Sequence, residues 1–428
     1  MSATVLNQEV ALEVDQKRRW GLPIGLSVVA VISLVFFGLS IDSDARTSYR
    51  FSDEDFGEFV QIPLFSLPSQ LTGVILSLIA LVAVIVVVIL TFTRRSIHWT
   101  IYAVFGVASV LALFTWAGAG KERTAVTVTA LVVAGLVAAV PLVFGALAGL
   151  VCERSGVINI AIEGQLLAGA FLGAVVASWA GQAYVGLLAA PVAGALVGAI
   201  LAVFAVRYWV DQIVVGVVLN VLVYGLTAYL YGTLLREHRS LNQPLGTGDI
   251  AIPVLSKIPI LGPIFFNHPL LVYLMFVTVI ILSIYLFKSR WGLRVRSLGE
   301  HPKAADTVGI RVNASRVRNV ILGGALAGLG GAFYTVTKGL QFTPEMTGGA
   351  GFIALAAMIL GRWTPKGALM AALLFGLADA FQQQLSIMGS SIPEEFVLMT
   401  PYLVTILAVA GLVGHARPPA AEGTPYKK

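Results

Sequence analysis

The sequence predicts an all-α protein, a polytopic integral membrane helical bundle of about twelve transmembrane helices. Its 428 residues are 57% hydrophobic and only 12% charged, whereas soluble domains carry about 25% charged residues. Apolar runs of about 20 residues, the length that crosses the hydrocarbon core of a bilayer, recur along the chain. Lipid offers no water partner to backbone groups, so each of these runs should be helical.

The loops between the runs test the predicted number of spans. The runs are 21–40, 71–92, 99–117, 125–150, 160–180, 184–206, 212–233, 269–287, 319–338, 349–362, 366–385 and 397–414. With the N-terminus inside, the most basic loops fall on the cytoplasmic side, as the positive-inside rule requires. The acidic loop 41–70 then lies outside, and both termini are cytoplasmic. Run 349–362 is short and glycine-rich at its start, so a re-entrant or broken helix is the alternative there.

Composition and motifs argue against several classes of function. The net charge of +6 comes from basic residues between the apolar runs, which indicates membrane orientation and lipid contact rather than nucleic-acid binding. A single cysteine, Cys152, excludes an internal disulfide or a cysteine metal cluster. There is no Gly-x-x-x-x-Gly-Lys-Ser/Thr loop to hold ATP phosphates. We therefore expect no enzyme activity, metal or cofactor in this chain, and any ATP to be bound by another subunit.

Paired glycines predict how the helices pack. Gly194 and Gly198, and likewise Gly324 and Gly328, lie four residues apart. On a helix this spacing puts both glycines on one face, where a neighbouring backbone can approach closely. We expect helix packing within the chain, with a moving gate as the alternative.

The longest predicted cytoplasmic loop, 288–318, carries eight basic residues against Glu300 and Asp306. Pro302 suits the first position of a short helix, and Gly309 suits its C-terminal cap. The sequence thus predicts a helix over 302–308, whose Ala304, Ala305 and Val308 could fit a groove on a partner. The alternative is a basic loop that sets orientation and contacts lipid headgroups.

Polar residues also lie at the start of the apolar run 160–180. Asn159 and Glu163 are four residues apart, which predicts one shared helix face, and Gln165 follows. Polar groups are costly in lipid and usually face a partner or a water-filled path. These three residues could line a substrate path or gate. They could instead form an ion pair or capping network, for example Glu153 or Glu163 with Arg154.

Three further polar residues fall within or near the ends of apolar runs, namely Asn220, Asp379 and Gln382. Such groups could line the path of a neutral polar solute. They could equally bind protons or Na⁺ in an ion-coupled carrier, or form hydrogen bonds between helices.

Two segments together resemble a known family. The run from Glu153 to Glu163, Glu-Arg-Ser-Gly-Val-Ile-Asn-Ile-Ala-Ile-Glu, resembles the signature of permeases of branched-chain amino acid/ribose-type ABC importers. The loop from Trp291 to Ile310 resembles the cytoplasmic coupling segment of that family. The similarity extends over roughly residues 125–415 and is nearest to the nucleoside and simple-sugar branch.

The resemblance implies an ABC importer permease core with extra N-terminal helices. Residues 1–120 would be an extension of about three spans, 121–415 the core and 416–428 a cytoplasmic tail. The 302–308 helix would dock on an ATPase subunit. The implied coupling residues are Arg294, Arg296, Gly299, Glu300, Pro302, Ala304, Ala305, Asp306 and Gly309.

The resemblance also implies partners and a substrate class. An ATPase with two nucleotide-binding domains would hold ATP and magnesium, and a paralogous second permease and an extracytoplasmic substrate-binding lipoprotein would complete the assembly in the bacterial plasma membrane. Nucleosides are the expected substrates, with a simple sugar such as ribose as the alternative. An ion-coupled secondary transporter and a scaffold subunit without transport are the alternatives from other classes.

Overall fold

A computed structural model of the chain describes residues 20–52, 57–121, 125–388, 399 and 417–427. Helices dominate it. They are α1 (Trp20–Leu39), α2 (Ser69–Phe92), α3 (Trp99–Gly118), α4 (Val128–Arg154), α5 (Ile162–Ala180), α6 (Ala183–Arg207), α7 (Gln212–Leu235), α8 (Leu270–Lys288), α9 (Arg290–Glu300), α10 (Pro302–Thr307), α11 (Val312–Thr337), α12 (Ala350–Leu360) and α13 (Pro365–Ile387).

Nine helices in the described part of the chain, α1–α8 and α11, are long and apolar enough to cross a membrane. They confirm a polytopic helical membrane protein. The 11-residue α12 rises about 16 Å, roughly half of the hydrocarbon core, and cannot cross it. Run 349–362 is therefore the broken helix that the sequence offered as the alternative.

The two remaining predicted spans are not among these nine. Helix α13 has 23 residues, which is long enough to cross, but Asp379 and the glutamines near its end lower its hydropathy. Run 397–414 lies outside the described residues apart from Met399. Nine candidate spans lie in the described residues and α12 is too short for a span of its own, so twelve helical spans are not confirmed; the crossings by α13 and run 397–414 stay predictions.

The chain forms two compact units. The first comprises Met1–Leu131 and Phe381–Met399, and the second Val132–Ala380 and Thr400–Lys428. In the first unit a small sheet accompanies α1–α3, with strands β1 (Arg46–Arg50), β2 (Phe65–Pro68) and β3 (Val126–Thr127) in the order β2-β1-β3. Strand β1 pairs antiparallel with β2 and parallel with β3. Part of the predicted acidic loop thus forms sheet; its Asp53, Glu54 and Asp55 lie outside the described residues.

The second unit is built on close packing between α5, α6 and α11. A Cβ atom added at Gly194 would overlap the carbonyl oxygen of Gly324, and one at Gly169 would overlap the carbonyl oxygen of Gly328. The four-residue glycine spacing therefore does bring helix backbones together within the chain. Between α7 and α8 the chain is irregular, with a short hairpin of β4 (Asp249–Ala251) and β5 (Asn267–Pro269).

We predict that Gly324→Ala lowers the free energy of unfolding by about 1–3 kcal/mol, because the new methyl group has no room between α11 and α6. Gly225→Ala on α7 is the matched control, since nothing lies within 4 Å of the position its Cβ would take. Unfolding of the purified protein in detergent, followed by tryptophan fluorescence, measures both variants. Equal stability of the two would contradict the packing described.

Candidate functional site

The segment between α4 and α5, residues 155–161, is not helical; we call it the junction. Helix α4 ends at Arg154, and Gly156 has a left-handed φ of 90°. Helix α5 begins only at Ile162. The expectation that Asn159 and Glu163 share one helix face is therefore wrong, because Asn159 lies in the junction.

Buried amide side chains satisfy the backbone of the junction. Gln212 accepts from the Ile158 N–H at 2.7 Å. Asn220 donates to the Ile160 carbonyl at 2.9 Å and accepts from the Gly164 N–H at 2.8 Å. Non-helical backbone at membrane depth persists only where such partners exist.

Two of the predicted path residues bind each other in the same place. The Nδ2 of Asn159 donates to the Oε1 of Gln165 at 3.0 Å, and both side chains are fully buried. Asn159, Gln165 and Asn220 thus support the junction from within the protein.

The carboxylate of Glu163 is fully buried and accepts four hydrogen bonds. Its Oε1 accepts from the Tyr224 hydroxyl at 3.0 Å, the Thr347 hydroxyl at 2.6 Å and the Gly349 N–H at 2.9 Å, and its Oε2 accepts from the Gly351 N–H at 2.6 Å. Gly349 and Gly351 open α12, whose N-terminal N–H groups have no partner within the helix. The positive end of the helix dipole also favours the negative charge there. Glu163 therefore caps α12.

The other end of α12 is held by the end of α4. Arg154 donates to the carbonyl of Trp363 from Nε at 3.0 Å and from Nη2 at 2.9 Å. The indole N–H of Trp363 donates to the Glu153 carboxylate at 2.6 Å. Arg154 is thus engaged with the chain just after α12, and this half-length helix is clamped at both ends.

Asp379 and Gln382 lie one turn apart on α13 and are both half-buried. Tyr334 of α11 is within electrostatic reach of both Asp379 and Glu163. Of the six predicted path residues, the structure gathers Asn159, Glu163, Gln165 and Asn220 around the junction and leaves these two on α13.

The loop 288–318 contains two helices, α9 and α10. Pro302 is the first residue of α10. Gly309, with a left-handed φ of 84°, closes it: the Gly309 N–H donates to the Asp306 carbonyl at 3.0 Å and the Ile310 N–H to the Ala305 carbonyl at 3.1 Å. This pattern is a Schellman motif. It confirms the short helix, which ends at Thr307, one residue earlier than predicted.

The side chains of α10 divide into a buried and an exposed set. Ala305 is 2% exposed and packs with Leu298 and Val312, so the expectation that it contacts a partner's groove is wrong. Ala304 is exposed, and Val308 just after the helix is 76% exposed. Only these two remain as an apolar surface for a partner.

The other predicted coupling residues have varied environments. Arg294 is exposed, whereas Arg296 places its guanidinium over the ring of Phe287, 5.3 Å from the centroid. Gly299 is buried against the Arg154 carbonyl, where a side chain would not fit. Glu300 is exposed, and its carboxylate accepts from the Ala420 N–H at 3.3 Å.

Arg316, which the sequence showed only as one of several loop charges, is 1% exposed and joins three segments. It donates to the Ser155 carbonyl at 3.0 Å, the Thr424 carbonyl at 2.8 Å and the Leu298 carbonyl at 3.3 Å. Sequence reasoning also missed Gln212, Tyr224 and Thr347. No local pattern distinguishes them, because each partner is distant along the chain.

Comparison of the sequence with known proteins finds matches among transport proteins. Residues 131–409 match the family described as branched-chain amino acid transport system / permease component. The chain is 42% identical to the guanosine ABC transporter permease protein NupQ of Bacillus subtilis (strain 168). The alignment spans 311 residues, which are 70% of this chain and 96% of NupQ.

Two further relatives differ in the substrate that their names give. The nucleoside ABC transporter permease protein NupC of Lactococcus lactis subsp. cremoris (strain MG1363) is 38% identical over 307 residues, 68% of this chain and 95% of NupC. The putative glucose ABC transporter permease protein TsgC13 of Haloferax volcanii is 34% identical over 245 residues, 57% of this chain and 74% of TsgC13. No solved structure matches the chain.

We predict that Glu163→Ala lowers the free energy of unfolding by at least about 3 kcal/mol, since each buried donor left without an acceptor costs about 1–3 kcal/mol. Glu163→Gln should have a smaller effect, because it keeps the shape but can no longer accept at both positions. Glu237→Ala, which removes an exposed carboxylate after α7, is the control. Unfolding in mixed micelles and deuterium exchange at the Gly349 and Gly351 amides measure the change. If Glu163→Ala behaves like Glu237→Ala, the capping role is refuted.

Proposed function

Since the chain belongs to the family of branched-chain amino acid transport system permease components, we propose that it is the membrane-spanning permease subunit of an ATP-driven importer of nucleosides. The observation that carries the proposal is the 42% identity to a guanosine permease over 96% of that protein's length. The 38% identity to a nucleoside permease over 95% of its length supports the same substrate class. The chemistry of ATP hydrolysis belongs to a partner subunit.

The coupling role rests on the shape of the segment 290–310. Helix α10 begins at Pro302 and is closed at its C-terminal end by the Schellman motif at Gly309, and Ala304 and the following Val308 form an exposed apolar surface. A groove on a partner ATPase would bury these two residues. Behind α10, Gly299 lies against Arg154, and Arg316 joins Leu298 to Ser155. Movement of α10 by the ATPase would therefore reach the junction and the Glu163 cap.

The substrate path needs polar groups that can face a solute. Asn159, Gln165 and Asn220 satisfy the junction, and Glu163 caps α12. We therefore assign these four to supporting the path. Asp379, half-buried on α13, stays a candidate for lining it. Gln382 stays a second candidate for lining.

The expected assembly follows from the family. It contains an ATPase with two nucleotide-binding domains, a paralogous second permease and an extracytoplasmic substrate-binding lipoprotein, in a bacterial plasma membrane. Residues 417–427 contact the coupling segment through Ala420 and Ala421. This contact supports a cytoplasmic C-terminal region on the side where the ATPase binds.

A simple sugar is the second candidate substrate, because the chain is 34% identical to a putative glucose permease. Uptake of labelled guanosine by cells with and without this chain, with ribose and glucose as competitors, separates the two. Loss of guanosine uptake on deletion, with sensitivity to vanadate and resistance to ionophores, would support the nucleoside importer. Loss of sugar uptake alone would show that the substrate is a sugar and not a nucleoside. Uptake that persists after ATP depletion and is abolished by an ionophore would refute the ABC mechanism.

We predict that Val308→Asp lowers guanosine uptake at least about tenfold, the effect of losing roughly 1.4 kcal/mol of docking energy. The residue is exposed, so the fold should be unaffected, but a carboxylate would be buried in the partner's groove. Val308→Thr, of similar shape, is the matched control. Uptake and co-purification of the ATPase measure the effect. Normal uptake by Val308→Asp would exclude Val308 from the docking surface.

A further inference from the structure

Residues 417–427, which we call the strap, lie across the coupling segment. The Ala421 N–H donates to the Gly299 carbonyl at 2.7 Å, and the Ala420 N–H donates to the Glu300 carboxylate at 3.3 Å. A Cβ atom on Gly299 would lie 3.2 Å from the Cβ of Pro419, which is buried. The strap therefore fixes the end of α9, immediately before the coupling helix α10.

The middle of the strap contacts the junction and Arg316. The Thr424 carbonyl is one of the three acceptors of the buried Arg316 guanidinium. Gly423 has a left-handed φ of 72°, and a Cβ added there would lie 2.9 Å from Cδ1 of Ile158 in the junction. The strap thus touches the junction and the end of α9 at the same time.

The last residues of the strap reach α10, α11 and the loop between α6 and α7. Tyr426 packs with Leu298, Ala305 and Val312. Lys427 places its ammonium 5.0 Å from the ring centroid of Trp209. These contacts give the strap a defined position.

Charged groups accompany these contacts. Glu422 lies beside the Glu153 carboxyl at the end of α4 and beside Arg154. Burial raises the pKa of Glu422, and the neighbouring Arg154 opposes that rise. The same two residues, Glu153 and Arg154, hold the end of α12 through Trp363. The strap therefore also meets the clamp on α12.

We propose that the strap is a positioning element that fastens the coupling helix α10 to the junction, so that both move as one body when the ATPase moves α10. This inference rests on the proposed permease function. Without the strap, Arg316 loses one of its three acceptors and α9 loses the backbone hydrogen bond at Gly299. Helix α10 could then shift without moving the junction, and ATP would be hydrolysed without transport.

The test compares the complete transporter complex, purified through this chain and reconstituted in proteoliposomes, for four forms of the chain. One is unchanged, one is truncated after residue 416, and one carries Gly423→Val, which keeps the strap but puts a β-branched side chain at a left-handed φ and against the end of the Ile158 side chain. The fourth carries Arg417→Ala, a change at an exposed strap residue, as the control. Guanosine uptake and ATP hydrolysis are measured on the same vesicles.

We expect ATP hydrolysed per guanosine transported to rise about tenfold in the truncated and Gly423→Val forms, within the 5- to 150-fold range typical of coupling between sites. Arg417→Ala should keep the ratio of the unchanged chain. A role in folding alone would lower uptake and hydrolysis together and leave the ratio unchanged, which would overturn the proposal. If the truncated chain does not assemble, Gly423→Val decides: an unchanged ratio in that form overturns the proposal as well.

Failure of the proposed substrate is distinguishable from failure of the strap. If the unchanged chain does not transport guanosine, the substrate proposal fails. The strap is then tested by the stimulation of ATP hydrolysis on adding the substrate-binding lipoprotein, which depends on coupling through the membrane subunit. Loss of that stimulation in Gly423→Val, but not in Arg417→Ala, supports the strap, and equal stimulation in both refutes it.

Discussion

The membrane core depends on the hydrogen bonds that the buried carboxylate of Glu163 accepts. A charge without partners in apolar surroundings costs several kcal/mol, and here the hydroxyls of Tyr224 and Thr347 and two backbone N–H groups of α12 supply the partners. Helix α12 is too short to cross a bilayer and α5 begins only after the junction, and the N-terminal ends of both helices are buried in the protein. Glu163, in the first turn of α5, joins them. Without it, the start of α12 would have buried donors and no acceptor.

The contacts around Glu163 form a continuous chain to the segment 290–310. Arg316 links Leu298 at the end of α9 to Ser155 in the junction. Within the junction, Gln212 and Asn220 hold the Ile158 N–H and the Ile160 carbonyl, and Asn220 also binds the Gly164 N–H next to Glu163. Each step is a hydrogen bond to backbone at 2.7 to 3.3 Å, so displacement of one partner strains the next. Such a chain is a hydrogen-bonded network of the kind that carries coupling between two sites.

Local signals in the sequence predicted the local structure. Long apolar runs predicted the membrane helices, and Pro302 and Gly309 predicted α10, because their effects act within a few residues. The helix face assigned to Asn159 and Glu163 failed, because the apolar pattern of residues 160–180 does not show that α5 begins only at Ile162. The role of Arg316 could not be predicted from the sequence for another reason. Its acceptors Ser155 and Thr424 lie 161 and 108 residues away, and no spacing within one sequence records such a pairing.

The cap that Glu163 forms on the N-terminus of α12 also bears on the charge of the solute. In many transporters the N-terminus of a broken helix points at an anionic group of the substrate, because the free N–H groups and the helix dipole favour negative charge. In this chain Glu163 already occupies that position, with both carboxylate oxygens bound by α12 and its flanking residues. This helix end therefore has no vacant donors for a substrate carboxylate. A neutral polar solute, such as the nucleoside proposed here, is bound by hydrogen bonds and does not require charged recognition at this helix end.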